Sequence, residues 1–334
     1  MTSHRNDIID LYNIALLLNY ERAASEPRFR HSKLREVTED ESQFQTVRIL
    51  YRVRQTDYKG PKDAFLFERR PPVGSEDTDK PDLPSNMLRQ PMSQLTSNLT
   101  PDRLETIYWQ ARGHDGCFAS ACIFQYFFDL FPNSEPSIRI RLADGKEYTT
   151  SAESVILEID LTSLKHRTCS TVLPQNESYV TGAGDQPIFR HAVIGFGTSR
   201  EGNIETVLDM SSMQFGDVGR GPGRKGKGTF VLESLDSYLD RLEFIAAGHK
   251  VVKTSVRVLP HHDQAQDLWQ RDVAKRAKER WEKRKDHHWC GHCGHPLDNS
   301  QLKRCSGCQE AYYCDKEHQT KAWSSHHKRW CGKS

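Results

Sequence analysis

The chain has 334 residues and a formal net charge of +2, with 36% hydrophobic residues and a mean hydropathy of −0.73. This length allows two domains, and the low mean hydropathy predicts a water-soluble protein with some highly charged connecting segments. No apolar run reaches the roughly 20 residues of a membrane-spanning helix, and the N-terminus has acidic residues and no small-residue cleavage pattern. We therefore expect an intracellular protein, cytoplasmic or nuclear and not secreted, without a membrane segment.

The N-terminal region, residues 1–68, contains one predicted helix and one predicted strand. Residues 7–24 carry apolar side chains at helical spacing, and residues 46–53, TVRILYRV, have the composition of a strand. Residues 69–91 are rich in Pro, Asp and Ser and have few apolar side chains, which predicts a disordered linker.

A denser segment, residues 92–262, mixes helical and strand patterns. Its helix is predicted at 117–131, CFASACIFQYFFDLF, and ends before Pro132. The pattern predicts an α+β domain. Strands are expected at 138–142, 154–161, 190–197 and 204–209, the last two joined as a hairpin by the loop TSREGN.

Basic residues are concentrated towards the C-terminus. Residues 271–334 contain 15 Lys and Arg against 8 Asp and Glu, a net charge of +7, so the rest of the chain carries −5. We take 263–287 as a basic helical linker, in which Val273, Ala277 and Trp281 form one apolar stripe. Such a helix can bind phosphates, but a solvated spacer that carries the following module is the commoner use.

Six of the nine cysteines lie between residues 290 and 331. Zn²⁺ takes four thiolate or imidazole ligands at the corners of a tetrahedron, so eight such side chains fill two sites without an open position. The sequence therefore predicts two structural zinc ions that supply folding free energy to a segment with few apolar side chains. Disulfides are the alternative, but this spacing in a reducing compartment favours metal. The candidate ligand pairs are Cys290 and Cys293, Cys305 and Cys308, Cys314 and His318, and His326 or His327 with Cys331.

This pattern, together with Tyr313, Gln319 and Trp323, resembles the MYND zinc finger, here at residues 288–334. His318 stands where that family usually has cysteine. The resemblance implies a cross-braced finger with interleaved ligand pairs, and partners recognised through short, often proline-rich peptide motifs rather than DNA bases. One ion would take Cys290, Cys293, Cys314 and His318, and the other Cys305, Cys308, a histidine and Cys331.

Two neighbouring histidines compete for the last ligand position. His326 keeps the family's distance from His318, whereas His327 has the usual three-residue spacing to Cys331. Either histidine can fill the ligand position, and we favour His326. We expect His292 and His295 to be solvent-facing turn residues.

A second set of candidate functional residues lies in the 92–262 segment. Cys117 begins the predicted helix, whose N-terminus favours the thiolate form. His191 opens one strand and Asp209 ends the next, so a hairpin can place the carboxylate beside the imidazole. A thiolate nucleophile, a proton-transferring imidazole and an orienting carboxylate suit acyl chemistry. The alternative is that all three are ordinary packed residues, because free cysteine is among the most buried residue types.

Short runs around these residues resemble the papain-like and transglutaminase-like superfold. Cys117-Phe-Ala-Ser-Ala is similar to its Cys-Trp-Ala-x-Ser, His191-Ala-Val to its His-Ala-Val, and the run from Asp209 to Phe215 to transglutaminase and deamidase relatives. The resemblance implies a papain-like α+β body in which Gln110 helps to form an oxyanion hole.

The predicted function is a zinc-binding finger protein that mediates protein–protein interaction. The first alternative is a thiol hydrolase or acyl-transferase that uses Cys117, His191 and Asp209, with Gln110 in support. The second is a nucleic-acid-associated regulator. No Asn-His-Ser/Cys or Gly-Glu-Glu-Leu-like segment is present in the sequence, which argues against a SET methyltransferase.

Overall fold

The structure is a computed structural model and shows a mixed α+β fold, as expected. It describes residues 8–46, 60–69, 80–88, 94–131, 136–151, 154–173, 179–183, 186–197, 203–223, 225–296 and 301–332. The helices are α1 (Leu11–Ser25), α2 (Pro101–Gly113), α3 (Cys117–Asp129), α4 (Leu235–Ile245), α5 (Gln264–Glu282), α6 (Lys316–Ala322) and α7 (Lys328–Trp330). In that part of the chain, no helix combines the length and the apolar character needed to cross a membrane.

The strands form three sheets and one small hairpin. The strands in the described residues are β1 (Ile9–Asp10), β2 (Ser32–Thr38), β3 (Lys62–Arg69), β4 (Ile138–Arg141), β5 (Glu147–Thr150), β6 (Val155–Leu164), β7 (Arg167–Leu173), β8 (Tyr179–Ala183), β9 (Ile188–Phe196), β10 (Thr206–Asp209), β11 (Val231–Ser234), β12 (Ala246–Ser255), β13 (Lys303–Arg304) and β14 (Tyr312–Tyr313). The sheet β11-β10-β9-β6-β12 is antiparallel, β2-β3-β7-β8 pairs β3 with β7 in parallel, β1-β4-β5 pairs β1 with β4 in parallel, and β13-β14 is the hairpin of the finger.

The predicted hairpin of β9 and β10 is present, and its register positions two candidate site residues. Leu208 pairs with Ile194, so the continuing antiparallel register places Asp209 level with Val193. Side chains two residues apart on a strand share a face, and Asp209 is therefore a diagonal neighbour of His191. The predicted connecting loop lies largely outside the described residues, as does most of the predicted strand at 46–53.

The first helix, the Cys117 helix and the basic helix share one apolar core. α1 and α3 bury apolar side chains against α5, whose buried face includes the predicted stripe of Val273, Ala277 and Trp281. α5 is thus packed into the body rather than solvated as a spacer. The predicted divisions at 68, 92 and 263 therefore separate segments that pack together.

Part of the predicted linker at 69–91 is ordered. Residues 80–88 contain a helical turn at Pro84–Asn86, and Asp82 and Met87 are buried. Tyr108 donates a hydrogen bond to the Asp82 carbonyl oxygen, and Met87 accepts one from Leu34 through their backbones. Because these polar contacts are made by the backbone, the low apolar content of the segment gave no sign of them. Residues 70–79 and 89–91 of the predicted linker lie outside the described part of the chain.

Candidate functional site

The first ligand cluster gathers residues from the two halves of the finger. Cys290 and Cys293 come from the first Cys-x-x-Cys turn, Cys314 follows β14, and His318 lies in the first turn of α6. Asp315 caps that helix by accepting a hydrogen bond from the His318 backbone amide. The Cys293 and Cys314 sulfurs are 3.7 Å apart, and Cys290 Sγ lies 3.4 Å from His318 Nδ1.

The second cluster joins the β-hairpin to the C-terminal helical segment. Cys305 follows β13 and Cys308 comes three residues later, while His327 and Cys331 lie one turn apart near the C-terminus. The Cys305 and Cys331 sulfurs are 3.9 Å apart. His327 Nε2 lies 3.5 Å from Cys308 Sγ and 3.4 Å from Cys305 Sγ.

Both clusters have the dimensions of a zinc site. In each, the four ligand atoms lie within 4.8 Å of one another. A tetrahedron with Zn–S and Zn–N bonds of about 2.3 and 2.0 Å separates two sulfurs by about 3.8 Å and sulfur from nitrogen by about 3.5 Å. The distances given above agree with this geometry. With four ligands each, the sites are complete and leave no coordination position for a substrate.

The structure brings His327, and not the favoured His326, to the second cluster. The two histidines end a short π-helical turn, Trp323–His327, in which neighbouring side chains point in different directions, so His327 faces Cys305 while His326 faces away. His327 and Cys331 are four residues apart and therefore share a face. His326 instead stacks on Tyr12 of α1, with ring centroids 3.8 Å apart and planes 3° from parallel.

A buried ionic cluster fastens the finger to α2. Glu105 accepts hydrogen bonds from His292 Nε2 (2.7 Å) and Lys321 Nζ (2.9 Å), and Arg220 lies 3.1 Å from its second oxygen. The Glu105 side chain is only 5% exposed. Burial raises the pKa of this carboxyl, but His292, Arg220 and Lys321 together lower it well below its usual range. The carboxylate is therefore held ionised by groups from the finger and the body.

Both histidines expected in solvent-facing turns contact the body. His292 is buried against Glu105, and His295 Nδ1 is 2.9 Å from the Tyr20 hydroxyl of α1. Between them, Gly294 has φ +79°, and a Cβ there would come within 2.9 Å of the Leu16 carbonyl oxygen. This close approach of the turn to α1 explains why these side chains are not free in solvent.

The structure also brings together Cys117, His191 and Asp209. His191 Nε2 donates to Asp209 Oδ2 at 2.8 Å, and Cys117 lies close enough to raise the pKa of the imidazole, with its Sγ 4.0 Å from the Arg190 carbonyl oxygen. Cys117 is the first residue of α3, as predicted. All three residues are buried: Cys117 is 3% exposed and His191 is fully enclosed.

Two further side chains complete the surroundings of the imidazole. The Tyr238 hydroxyl donates to Asp209 Oδ2 at 2.9 Å, and Gln214 Nε2 lies 3.2 Å from His191 Nδ1. Burial lowers the pKa of His191, but the charge and hydrogen bond of Asp209, together with Cys117, outweigh burial and raise it to about 10. The imidazole therefore keeps its proton at neutral pH.

Gln110 has a different partner from the one expected. Its amide nitrogen donates to the Thr168 hydroxyl at 2.8 Å, which directs it to β7. Gln214, in the Met-Gln-Phe run after β10, is the amide that contacts the site. Tyr238 could not be identified from the sequence, because it reaches Asp209 from a helix 29 residues further on.

Comparison with known proteins identifies the C-terminal module. The family model of the MYND finger matches residues 290–331, so this segment is a MYND finger, a module that binds two zinc ions and mediates protein–protein interaction. No curated protein and no solved structure matches the chain. The papain-like resemblance of the body therefore has no support beyond the residues that suggested it.

Proposed function

We propose that this chain is a zinc-dependent interaction protein whose finger binds short segments of partner proteins. The observation that carries the proposal is the saturation of both metal sites. Because each ion has four protein ligands, zinc shapes the surface of the finger and takes no part in a reaction. Thiolate ligands must stay reduced, so the proposal includes an intracellular compartment, cytoplasmic or nuclear.

Contacts between the finger and the body hold the two regions together, so that a partner would bind them as one unit. The Glu105 cluster, the Tyr12–His326 stack and the Tyr20–His295 contact fix the finger against α1 and α2. A partner that binds the finger would therefore meet a rigid surface and would lose little affinity to ordering it.

Co-purification with the full chain tests this proposal. In Cys308→Ser one zinc ligand is lost, and we expect the bound zinc to fall from two ions to one and the proteins retained by the wild type to be lost. Cys122→Ser is the matched control, because Cys122 is a buried cysteine outside the finger. It should keep both the zinc and the partners. Unchanged retention by Cys308→Ser would contradict the proposal.

The basic face of α5 gives little support to nucleic acid binding. Arg276 pairs with Glu21 and Asp272, and Arg280 also pairs with Glu21. Arg271 pairs with Asp267. Phosphate binding requires basic side chains that exchange counterions for phosphates. Neutralised arginines contribute little to such binding.

A second candidate function is acyl chemistry at Cys117. The favouring observation is that the hydrogen-bonded pair of His191 and Asp209 lies beside Cys117 in the same buried site. In the proposed reaction the Cys117 thiolate bonds to the carbonyl carbon of an amide or ester, the C–N or C–O bond breaks, and protonated His191 gives its proton to the leaving amine or alcohol. Water then hydrolyses the thioester with His191 as base, while Asp209 orients the ring. Because the site is buried, Gln214 and Phe215, which contact His191, would have to move.

Thiol labelling of the folded protein tests this candidate. We expect an electrophilic probe to modify Cys117 faster than Cys122 at neutral pH, and His191→Ala to remove that preference. The comparison is matched, because both thiols are nearly buried. Burial, followed by Asp267, raises the pKa of Cys122 to about 11. Equal, slow labelling of the two cysteines would show that Cys117 is an ordinary core residue.

A further inference from the structure

A groove lies where the hairpin of the finger meets the beginning of α1 and the end of α5. Its volume is about 620 Å³, and its walls combine residues of the finger and the body. Two ligands of the second zinc site, Cys308 and His327, line one side of the groove, and Cys117 lies outside it. Because residues of both regions form its walls, the groove depends on the contact between the finger and the body.

Its lining carries an excess of positive charge. Five lining residues are Lys or Arg, against two that are acidic, Asp10 and Glu310. Asp10 is shared: Arg139 lies 3.4 Å and Arg141 2.8 Å from the same carboxylate oxygen. One carboxylate cannot neutralise two guanidinium groups, so positive charge is left in the groove.

Aromatic rings hold several of these arginines in place. The Arg284 guanidinium lies 4.3 Å from the centre of the Trp281 ring, and the Arg141 guanidinium lies 5.4 Å from that of Trp330. Contact of this kind uses the face of the guanidinium. In its plane, Arg284 Nη1 donates to the Trp281 carbonyl oxygen and Arg141 Nε donates to Asp10. The groove therefore presents guanidinium groups held in fixed positions, and Arg141 already binds the carboxylate of Asp10.

Apolar surface accompanies the charge. Ile8 is 53% exposed at the rim of the groove, and Trp289 is half-buried in its wall. An occupant therefore needs acidic groups for the arginines and an apolar side chain for this patch.

We propose that the groove binds an acidic segment of a partner protein, with carboxylates on the arginines and an apolar side chain against Ile8 and Trp289. This inference deepens the proposed function and rests on it. A peptide is favoured over a nucleic acid because two carboxylates, Glu21 and Asp272, pair with Arg276 and Arg280 further along α5, which confines the positive charge to the groove. A phosphodiester backbone is charged at every nucleotide and would require a longer basic track.

Fluorescence anisotropy with the full-length, zinc-loaded protein tests the proposal. The probe is a short fluorescent peptide of glutamates around one leucine, compared with the same peptide in which glutamine replaces glutamate, and with a fluorescent single-stranded RNA. We expect the glutamate peptide to bind, more weakly at higher salt, and to bind more tightly than the other two probes.

Charge reversal locates the binding. Arg284→Glu with Lys285→Glu should weaken binding of the glutamate peptide at least about tenfold. Lys275→Glu makes the same kind of change on the exposed face of α5, outside the groove, and should leave binding nearly unchanged. Zinc content and thermal unfolding of each variant confirm that the finger and body remain folded.

Three outcomes would overturn the proposal: tighter binding of RNA than of the peptide, equal weakening by Lys275→Glu, or no binding of the glutamate peptide. Co-purification with the Arg284→Glu, Lys285→Glu variant separates the two levels of inference. If the protein still retains zinc-dependent partners while the peptide fails to bind, the groove proposal falls and the proposed function stands.

Discussion

The finger and the body reach a folded state by different means. In the finger the buried apolar cluster is small, and zinc ligands make up much of it, including Cys290 and Cys305. The body instead buries three large apolar clusters, one of which joins α1, α3 and α5. Zinc binding therefore supplies folding free energy in the finger, whereas apolar burial supplies it in the body.

The difference matters because the two regions are in direct contact. Glu105, Tyr12 and Tyr20 belong to the body, yet each is covered by a residue of the finger. Loss of the finger would expose a buried carboxylate and two aromatic rings of the body. The two regions should consequently differ in their response to metal removal but remain coupled at their interface.

Zinc removal should produce the largest effect. Structural zinc contributes about 10 kcal/mol or more to a finger at neutral pH, so chelation should unfold residues 290–331. Amide hydrogen exchange of the full chain should then show complete loss of protection in the finger and partial loss in α1 and α2, while β6 and β9 stay protected. Re-addition of zinc is the control and should restore protection. If the finger stays protected after complete removal of zinc, its folded state does not depend on zinc and the proposed difference from the body is wrong.

Truncation of Trp281 should give the next largest effect. This residue is 6% exposed and lies in the body cluster, so Trp281→Ala should lower the free energy of unfolding by about 3–5 kcal/mol. Lys275→Ala on the exposed face of the same helix should change it by less than about 0.5 kcal/mol. Urea unfolding followed by circular dichroism measures both. Equal, small losses would mean that α5 is a spacer, as its charged sequence suggests.

Removal of the buried carboxylate should break the coupling between the regions. Glu105→Gln leaves His292, Arg220 and Lys321 without their shared anion and should cost about 3 kcal/mol. Asp102 is the matched control, because it also binds Lys321 but is 64% exposed. Asp102→Asn should cost no more than about 1 kcal/mol. Similar values for the two variants would show that burial of the Glu105 cluster contributes little.

The sequence predicted the features that depend on neighbouring residues. Ligand pairs three or four residues apart identified the finger, and alternation along the strands placed His191 and Asp209 in adjacent strands of one hairpin. Spacing alone carries this information, because a turn or a strand fixes where such side chains point.

Features that depend on distant residues could not be predicted. Glu105 and His292 are 187 residues apart, and neither a glutamate in a helix nor a histidine in a turn signals the other. The basic sequence of α5 likewise suggested a solvated helix, since the burial of its apolar stripe depends on α1 and α3. The order of the strands in the 92–262 segment could not be predicted for the same reason, because contacts between distant strands determine it.

The choice between His326 and His327 separates a zinc ligand from a packing residue, and His326→Ala gives the smallest expected change in stability. His327→Ala should reduce the zinc content from two ions to one, because Nε2 lies between the sulfurs of Cys305 and Cys308. His326→Ala should keep both ions and lose only its stack on Tyr12, at a cost of about 1 kcal/mol. Zinc analysis by mass spectrometry of the native protein, together with urea unfolding, distinguishes the two. If His326→Ala loses an ion and His327→Ala does not, the spacing from His318 determines the ligand, and the spacing to Cys331 does not.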